Sequence, residues 1–388
     1  MANGSAIAGI GATEFAKDSG RSELRLALEC ATAALNDAGV GAAEVDGLVA
    51  YGMDNNDVSD VARYLGCGEI TFYAQTPLGG GSACGTVALA ALAVATGAAN
   101  IVIAYRAMNE RSGFRYGQPT SYQPGGVPTS FQVNQSWTVP FGMATPAVQV
   151  ALTARRYMHQ YGATSADFGL VAVSSRNYAV TNPQAWFYGR PITLDDHQNS
   201  RMIADPIRLL DCCQESDGGV AILVTSLERA RDQRQPVVEI LGAAQGIAPG
   251  YIDMTQRGRD DMAHAADTAV IGRLLWEQSG LTPADIDVAN LYDHYSPAVL
   301  MSLEALGFCG PGEAPGFVRD EGIGIDGKLP VNTNGGQLSE AYLHGYNGIT
   351  EVVRQIRGTA VNQVANVQTA LVTSGSHVPT SGLVLGRG

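Results

Sequence analysis

Residues 279–293 read SGLTPADIDVANLYD, and residues 38–52 read AGVGAAEVDGLVAYG. Ala38-Gly39-Val40 stands against Ser279-Gly280-Leu281, and Glu44-Val45-Asp46 against Asp285-Ile286-Asp287. Gly39 and Gly280 suit the left-handed position just past a helix. Asp46 and Asp287 each precede an apolar strand. The repeat extends outward. An apolar strand at 6–11 and an amphipathic helix at 22–38 precede the first copy, and a strand at 237–242 and a helix at 267–279 precede the second. Each copy is followed by a Gly-rich turn, a helix and a strand. These read LGGGSACGTVALAALAVATGAANIVIAY (78–105) and NGGQLSEAYLHGYNGITEVVRQIRG (334–358), the latter leading to TALVTSG (369–375). Two such βαβ-type halves predict a layered α/β fold with pseudo-twofold symmetry. The small residues of 83–97 suit a buried helix with backbone neighbours on all sides.

Composition narrows the class. The chain has 388 residues, 16% charged and 45% hydrophobic, enough to fill a sizeable core. A net charge of -13 argues against nucleic acid or an anionic membrane as partner. No apolar run is read as a membrane span, and the opening MANGSAIAGIGATEF lacks the features of a secretory signal. A soluble, cytoplasmic protein is expected. The 6 cysteines include no CxxC pair, and the histidines include no HExxH, so no metal site is expected. Lys17 and Lys328 are the only lysines among 24 Lys and Arg residues, and neither stands in a site-like context, which argues against Schiff-base chemistry. GIGATE lacks the third glycine of a dinucleotide fingerprint, and no phosphate-loop motif occurs.

Residues 108–205 form an insertion rich in Gly, Pro, Ser, Gln and aromatics, with FRYGQPTSYQPGG (114–126), NQSWTVPFGM (134–143) and a helix at 145–160. It is expected to be a lid or substrate-binding subdomain. It separates an N-terminal half (1–107 with 206–235) from a C-terminal half (236–388).

Four segments carry candidate chemistry. GGGSACG (79–85) places Ser82 and Cys84 at a turn into a helix, where free N–H groups and the helix dipole lower a thiol's pKa; Cys84 also reads as a small buried residue. LYDHYS (291–296) follows an apolar strand. NTNGGQLSEAYLHGYNG (332–348) brackets Tyr342, His344 and Tyr346 with glycines. TSGSHVPTSG (373–382) is a turn whose N–H groups, near Gly375, could line an oxyanion hole, or a plain hairpin.

The duplicated halves, the glycine turn before a small-residue helix, NGGxxSxxxxxGxxG, and RMIADPIRLLDCCQESDGGVAILVTS (201–226) together resemble the thiolase superfamily, in its branch of sterol carrier protein X-type and lipid-transfer-protein thiolases. The resemblance covers nearly the whole chain and implies the thiolase fold, two pseudo-twofold-related α/β/α/β/α halves. It also exposes departures. Ser82 falls where the branch has its nucleophilic cysteine. Tyr292-Asp293-His294-Tyr295 falls on one histidine motif, so Tyr292 replaces a catalytic histidine. Ala341–Gly348 falls on the other, so Tyr342 replaces the second. VTSGSH (372–377) lacks the acid/base cysteine.

A thiolase needs a thiolate and a base that works near neutrality. Losing the nucleophile and both histidines looks like a change of reaction on a scaffold that still binds an acyl-CoA and stabilises its enolate. The pattern is similar to the thiolase-like aldolases of bacterial steroid side-chain degradation. That likeness implies a lyase cleaving a tertiary β-hydroxyacyl-CoA to a ketone and propionyl-CoA. It implies Tyr292, Tyr342 and His294 as catalytic residues, and Ser82, Cys84, Asp293, Gly336, His344, Tyr346 and Gly375 around the substrate. It further implies no cofactor beyond the CoA thioester itself, a homodimer, and a partner with an OB-fold and zinc ribbon, often fused to a hydratase. Two alternatives are a working thiolase that uses Cys84 and a non-catalytic sterol carrier subunit.

Overall fold

A computed structural model describes residues 4–77, 79–115, 117 and 130–388. Its strands are β1 (Ser5–Ala12), β2 (Gly47–Tyr51), β3 (Phe72–Thr76), β4 (Ile101–Asn109), β5 (Met202–Ala204), β6 (Ile207–Arg208), β7 (Asp217–Ser226), β8 (Val238–Gly246), β9 (Val288–Asn290), β10 (Thr369–Ser374) and β11 (Thr380–Arg387). Nine of them form one sheet in the order β3-β2-β4-β7-β1-β8-β11-β10-β9. The order β2-β4-β7-β1 is answered by β9-β10-β11-β8, so the duplication read in the sequence is a true pseudo-twofold. The halves meet where Ala6 and Ile7 of β1 pair with Glu239 and Val238 of β8. In the C-terminal half a parallel bridge between Ala289 and Val331 stands in the place of β3.

The repeated signals do the same work twice. Gly39 and Gly280 take φ of 74° and 70° and close the helices Glu23–Ala38 and Ala266–Ser279. The Asp46 carboxylate accepts from the backbone N–H of Asn100 and Ile101, at 2.9 and 2.8 Å, and so fixes the start of β4. The Asp287 carboxylate accepts from Gln368 and Thr369, at 2.7 and 3.0 Å, and fixes the start of β10.

Strand alternation then sorts the layers. Leu48 and Ala50 of β2 join the outer core under the Glu23–Ala38 helix. Val49 and Tyr51 point the other way, into the central core with the helices Ala83–Thr96 and Tyr346–Arg357. In the second half Ala289 and Leu291 face the outer core and Val288 the inner one. The two central helices touch strands of both half-sheets and each other, giving five layers. The stretch Gly79–Thr96 is, against expectation, long and apolar enough to cross a membrane by length and composition, but it is spent in this central layer.

The insertion runs from the end of β4 at Asn109 to the start of β7 at Asp217, slightly longer than expected. Its helices Pro146–Tyr161 and Ser165–Thr181 pack on the outer core of the C-terminal half. Most of FRYGQPTSYQPGG lies outside the described residues. TSGSHVPTSG is the turn of a hairpin: it leads from β10 back into β11, which pairs with β10 from Thr369–Gly386 to Ser374–Ser381.

Candidate active site

A cavity of about 660 Å³ opens where the ends of β2, β4 and β9 converge. Parallel strands leave such a crevice at their carboxyl ends. Its floor is built from two loops. The segment after β9 supplies Tyr292, His294 and Tyr295, and the loop before the Tyr346–Arg357 helix supplies Tyr342 and His344. Gly79 and Gly80 close one side, and a Cβ on Gly80 would stand 2.2 Å from the Tyr292 hydroxyl, so only glycine admits the ring there.

The hydroxyls of Tyr292 and Tyr342 are hydrogen-bonded at 3.1 Å. His344 stacks on Tyr51 at 4.8 Å and lies 4.8 Å from the Tyr342 ring. His294 sits 5.1 Å from the Tyr292 ring, and its two ring nitrogens have no hydrogen-bond partner among the described residues. Burial, with a smaller push from His377, lowers the His294 pKa to about 3. Burial likewise holds His344 well below the usual histidine range. Both imidazoles are therefore neutral, and neither supplies the protonated cation that would make a phenol more acidic. Burial pushes both phenols well above 10, so each tyrosine carries its proton in the free site.

Behind this floor the structure places the other residues singled out above. Asp293 turns away from the cavity and accepts from the N–H groups of Gln337 and Leu338, at 2.7 and 3.3 Å. A Cβ on Gly336 would stand 2.0 Å from the Asp293 carboxylate, so these two residues clamp the floor loops together. Burial, opposed by those N–H groups, pushes Asp293 up to about 6. The Ser82 hydroxyl donates to the Pro77 carbonyl at 2.5 Å. Cys84 is fully buried, its thiol 3.7 Å from the Val372 carbonyl and pushed up to about 12 by burial. The Tyr346 hydroxyl bonds Thr86 at 2.5 Å and Tyr105 at 3.2 Å. Gly375 takes a φ of 83° against Gly81. Tyr292, His294, Tyr342 and His344 line the cavity; Ser82, Cys84, Asp293, Gly336, Tyr346 and Gly375 do not.

The cavity also holds residues that sequence reading passed over. Lys17 corrects the expectation that no lysine stands near a site: it lines the wall, its ammonium donating to the Gln214 side chain at 2.9 Å and the Glu215 carbonyl at 2.6 Å. Burial lowers it to about 8. Glu110, at the end of β4, is 3% exposed. Cys212 and Cys213 line the cavity as thiols, pushed up by burial, Cys212 to about 12. The outer wall is apolar and guanidinium-lined, with Phe187 under Arg176 at 3.6 Å and Leu209 beside them.

Duplicated halves, two central helices and a site between the floor loops define a thiolase-like protein, without an activated thiol at its centre. Residues 253–385 match the family described as Thiolase C-terminal domain-like. The chain is 57% identical over 381 residues to the 17-hydroxy-3-oxo-4-pregnene-20-carboxyl-CoA lyase of Mycobacterium tuberculosis, covering 98% of both chains. It is 56% identical over 383 residues to a steroid side-chain-cleaving aldolase of Thermomonospora curvata, covering 98% of this chain and 97% of that one. The solved Ltp2-ChsH2(DUF35) aldolase superposes with a TM-score of 0.95 at 54% identity, over 99% of this chain and 98% of that one. The chain belongs to the thiolase-like steroid side-chain-cleaving aldolases.

Proposed function

We propose that this protein is a carbon–carbon lyase that cleaves a steroid CoA thioester with a tertiary β-hydroxyl, giving a ring ketone and propionyl-CoA. The observation that carries this reading is the pair of hydroxyls, Tyr292 and Tyr342, 3.1 Å apart in a buried cavity. A retro-aldol cleavage needs a proton taken from the β-hydroxyl, electrons accepted at the thioester oxygen as the C–C bond breaks, and a proton returned to the α-carbon. It needs no covalent intermediate. One tyrosine receives the hydroxyl proton as it gives up its own, and the other protonates the enolate carbon. Neutral His294 donates a ring N–H to the developing thioester oxyanion; Gly375, in the turn read from the sequence as a candidate oxyanion hole, does not line the cavity. A thiolase reaction through Cys84 is disfavoured by its burial away from the cavity. The carrier reading is disfavoured by the floor's ordered proton-transfer groups.

The reading places the enzyme in the cytoplasm with its CoA substrate, with no cofactor of its own. It assigns an OB-fold/zinc-ribbon partner, in keeping with the DUF35 protein named beside the Ltp2 aldolase. It assigns a homodimer as well: β3 ends the sheet with Tyr73 74% exposed, an open edge that a second copy can pair. The test is incubation with a tertiary β-hydroxyacyl-CoA, with and without the zinc-ribbon partner. Release of a ketone and propionyl-CoA is expected; binding without cleavage, partner present, would leave only the carrier.

A further inference from the structure

Resting on the retro-aldol reading, we propose that Glu110 is the terminal proton acceptor of the reaction, exchanging its proton with substrate through the tyrosine pair. Glu110 lines the cavity that holds Tyr292 and Tyr342, and it is buried. Its Oε2 has no hydrogen-bond partner among the described residues. A buried carboxylate oxygen left without a donor is costly unless a ligand or a proton occupies it. The other carboxylates near the floor are spent. Asp293 faces backbone N–H groups, and Glu215 is held by Arg115 at 2.8 Å.

The charges around Glu110 fit this role. The backbone N–H of Ser216, Arg106 and Lys17 favour its carboxylate; burial and Glu215 oppose it, and the balance brings it up to about 8. Its negative charge in turn bears on Tyr292, Tyr342, Tyr295 and Cys213, making each harder to ionise. The phenols are therefore too weakly acidic to stand as phenolates at neutrality, and the imidazoles are too weakly basic to take the proton. A carboxyl that titrates near the working pH is what an efficient acid–base group requires.

The proton balance closes within the site. The substrate's β-hydroxyl gives its proton to one tyrosine oxygen as that tyrosine passes its own proton, across a water in the shared cavity, to the Glu110 carboxylate. The C–C bond then breaks, leaving the ketone and the CoA-thioester enolate. The other tyrosine protonates the α-carbon, and Glu110 returns its proton through the hydrogen-bonded pair.

The experiment compares wild type, Glu110→Gln and Glu110→Asp, each as the complex with the partner, in kcat, KM and propionyl-CoA affinity from pH 6 to 9.5. Wild-type kcat is expected to rise with pH and level off above about pH 8 as the carboxylate forms. Glu110→Gln is expected to lose about a hundredfold in kcat, to lose the rising limb, and to keep its propionyl-CoA affinity. Glu110→Asp is expected to recover part of the rate with a displaced limb. A Gln variant within about threefold of wild type, or one that keeps the same limb, overturns the proposal. If the Gln variant does not fold, an Asp variant with an unshifted limb overturns it equally. Cleavage by wild type with no effect at Glu110 removes this inference alone; no cleavage by wild type removes the reading beneath it.

Discussion

Tyr51 and Tyr292 are the same residue of the repeat, five positions after Asp46 and Asp287, each at the end of a central strand. Strand alternation sends both to the inner layer, yet their surroundings differ. Tyr51 is fully buried, stacked on His344 with Arg106 over its ring at 5.1 Å. Tyr292 turns its hydroxyl onto Tyr342, in the wall of the cavity. The difference lies in the loop that leaves each strand. The N-terminal half lays Met53 and the buried pair of Asp54 and Arg106 beyond Tyr51. The C-terminal half lays His294, which lines the cavity, beyond Tyr292 and leaves its ring nitrogens without a hydrogen-bond partner among the described residues. The duplicated scaffold is shared; the floor chemistry is gathered in one copy.

The strongest way to break this contrast is to remove one hydroxyl at a time. Tyr292→Phe and Tyr342→Phe keep the rings and delete only the proton-bearing oxygen. Each should cut kcat by about 10²–10⁴-fold and leave propionyl-CoA binding nearly unchanged. Tyr51→Phe keeps the stack on His344 and should stay within about tenfold of wild type. Steady-state release of propionyl-CoA by the three variants, side by side, is the measurement. Normal turnover by both Tyr292→Phe and Tyr342→Phe would make the pair a packing contact.

Acid should expose the same asymmetry. His294, His344 and His377 are buried neutral in the C-terminal half, with His294 lowered to about 3 and His377 to about 4. An unfolded histidine titrates near about 6.5. Below that pH the unfolded chain binds protons that the fold refuses, so the histidine contribution to stability falls as pH falls from about 6.5 toward 4, while Glu110, Glu340 and Asp293, raised by burial to about 8, 7 and 6, contribute in the opposite direction. Each histidine contributes on the order of 1 kcal/mol per pH unit across that window. Urea midpoints of wild type and His377→Gln at pH 7 and pH 5 test this, and the variant should be spared on the order of 1 kcal/mol per pH unit of acid destabilisation relative to wild type. A His377→Gln variant with the same midpoint difference as wild type would mean that this imidazole is solvated.

Much of this was legible in the residues. The repeat, the helix stops at Gly39 and Gly280, and the aspartates before β2 and β9 are local signals that local chemistry enforces. Tyr292 and Tyr342 stood out because a motif around each could be laid on a family pattern. Lys17 and Glu110 did not, because each follows an ordinary strand and enters the cavity only when the sheet order brings β1, β4 and β7 beside the floor loops. Ser82 and Cys84 were read from the dipole of a helix start, but that helix begins inside the central layer. Depth there decides the thiol's state: burial raises its pKa where the dipole would lower it.

The two aspartates offer a smaller test of how equal the halves are. Asp46 accepts from two backbone N–H groups and, at 2.7 Å, the Asn100 amide, whereas exposed Asp287 accepts from two N–H groups and, at a longer 3.4 Å, the Thr369 hydroxyl. Asp46→Ala should cost about 2 kcal/mol and Asp287→Ala about 1, the range for bonds to a charged acceptor less what water recovers. Equal losses in urea melts would mean that exposure does not discount the second anchor.

The smallest expected effect belongs to Cys84, and it bears on which half does the chemistry. The residue sits in the first turn of the central helix Ala83–Thr96, with its backbone N–H on the Ser374 hydroxyl at 2.8 Å. Its thiol packs in the core and does not line the cavity. Cys84→Ala removes one buried sulfur, so about 1 kcal/mol of stability should go with the small void left behind. Because cleavage needs no covalent step, turnover should stay within about threefold of wild type, and iodoacetamide should not label Cys84 in the folded complex. A loss of more than about a hundredfold, roughly 2.7 kcal/mol of barrier, with the melting transition intact, would require that sulfur in the chemistry. It would return the nucleophile to the N-terminal half and leave the tyrosine pair as its support.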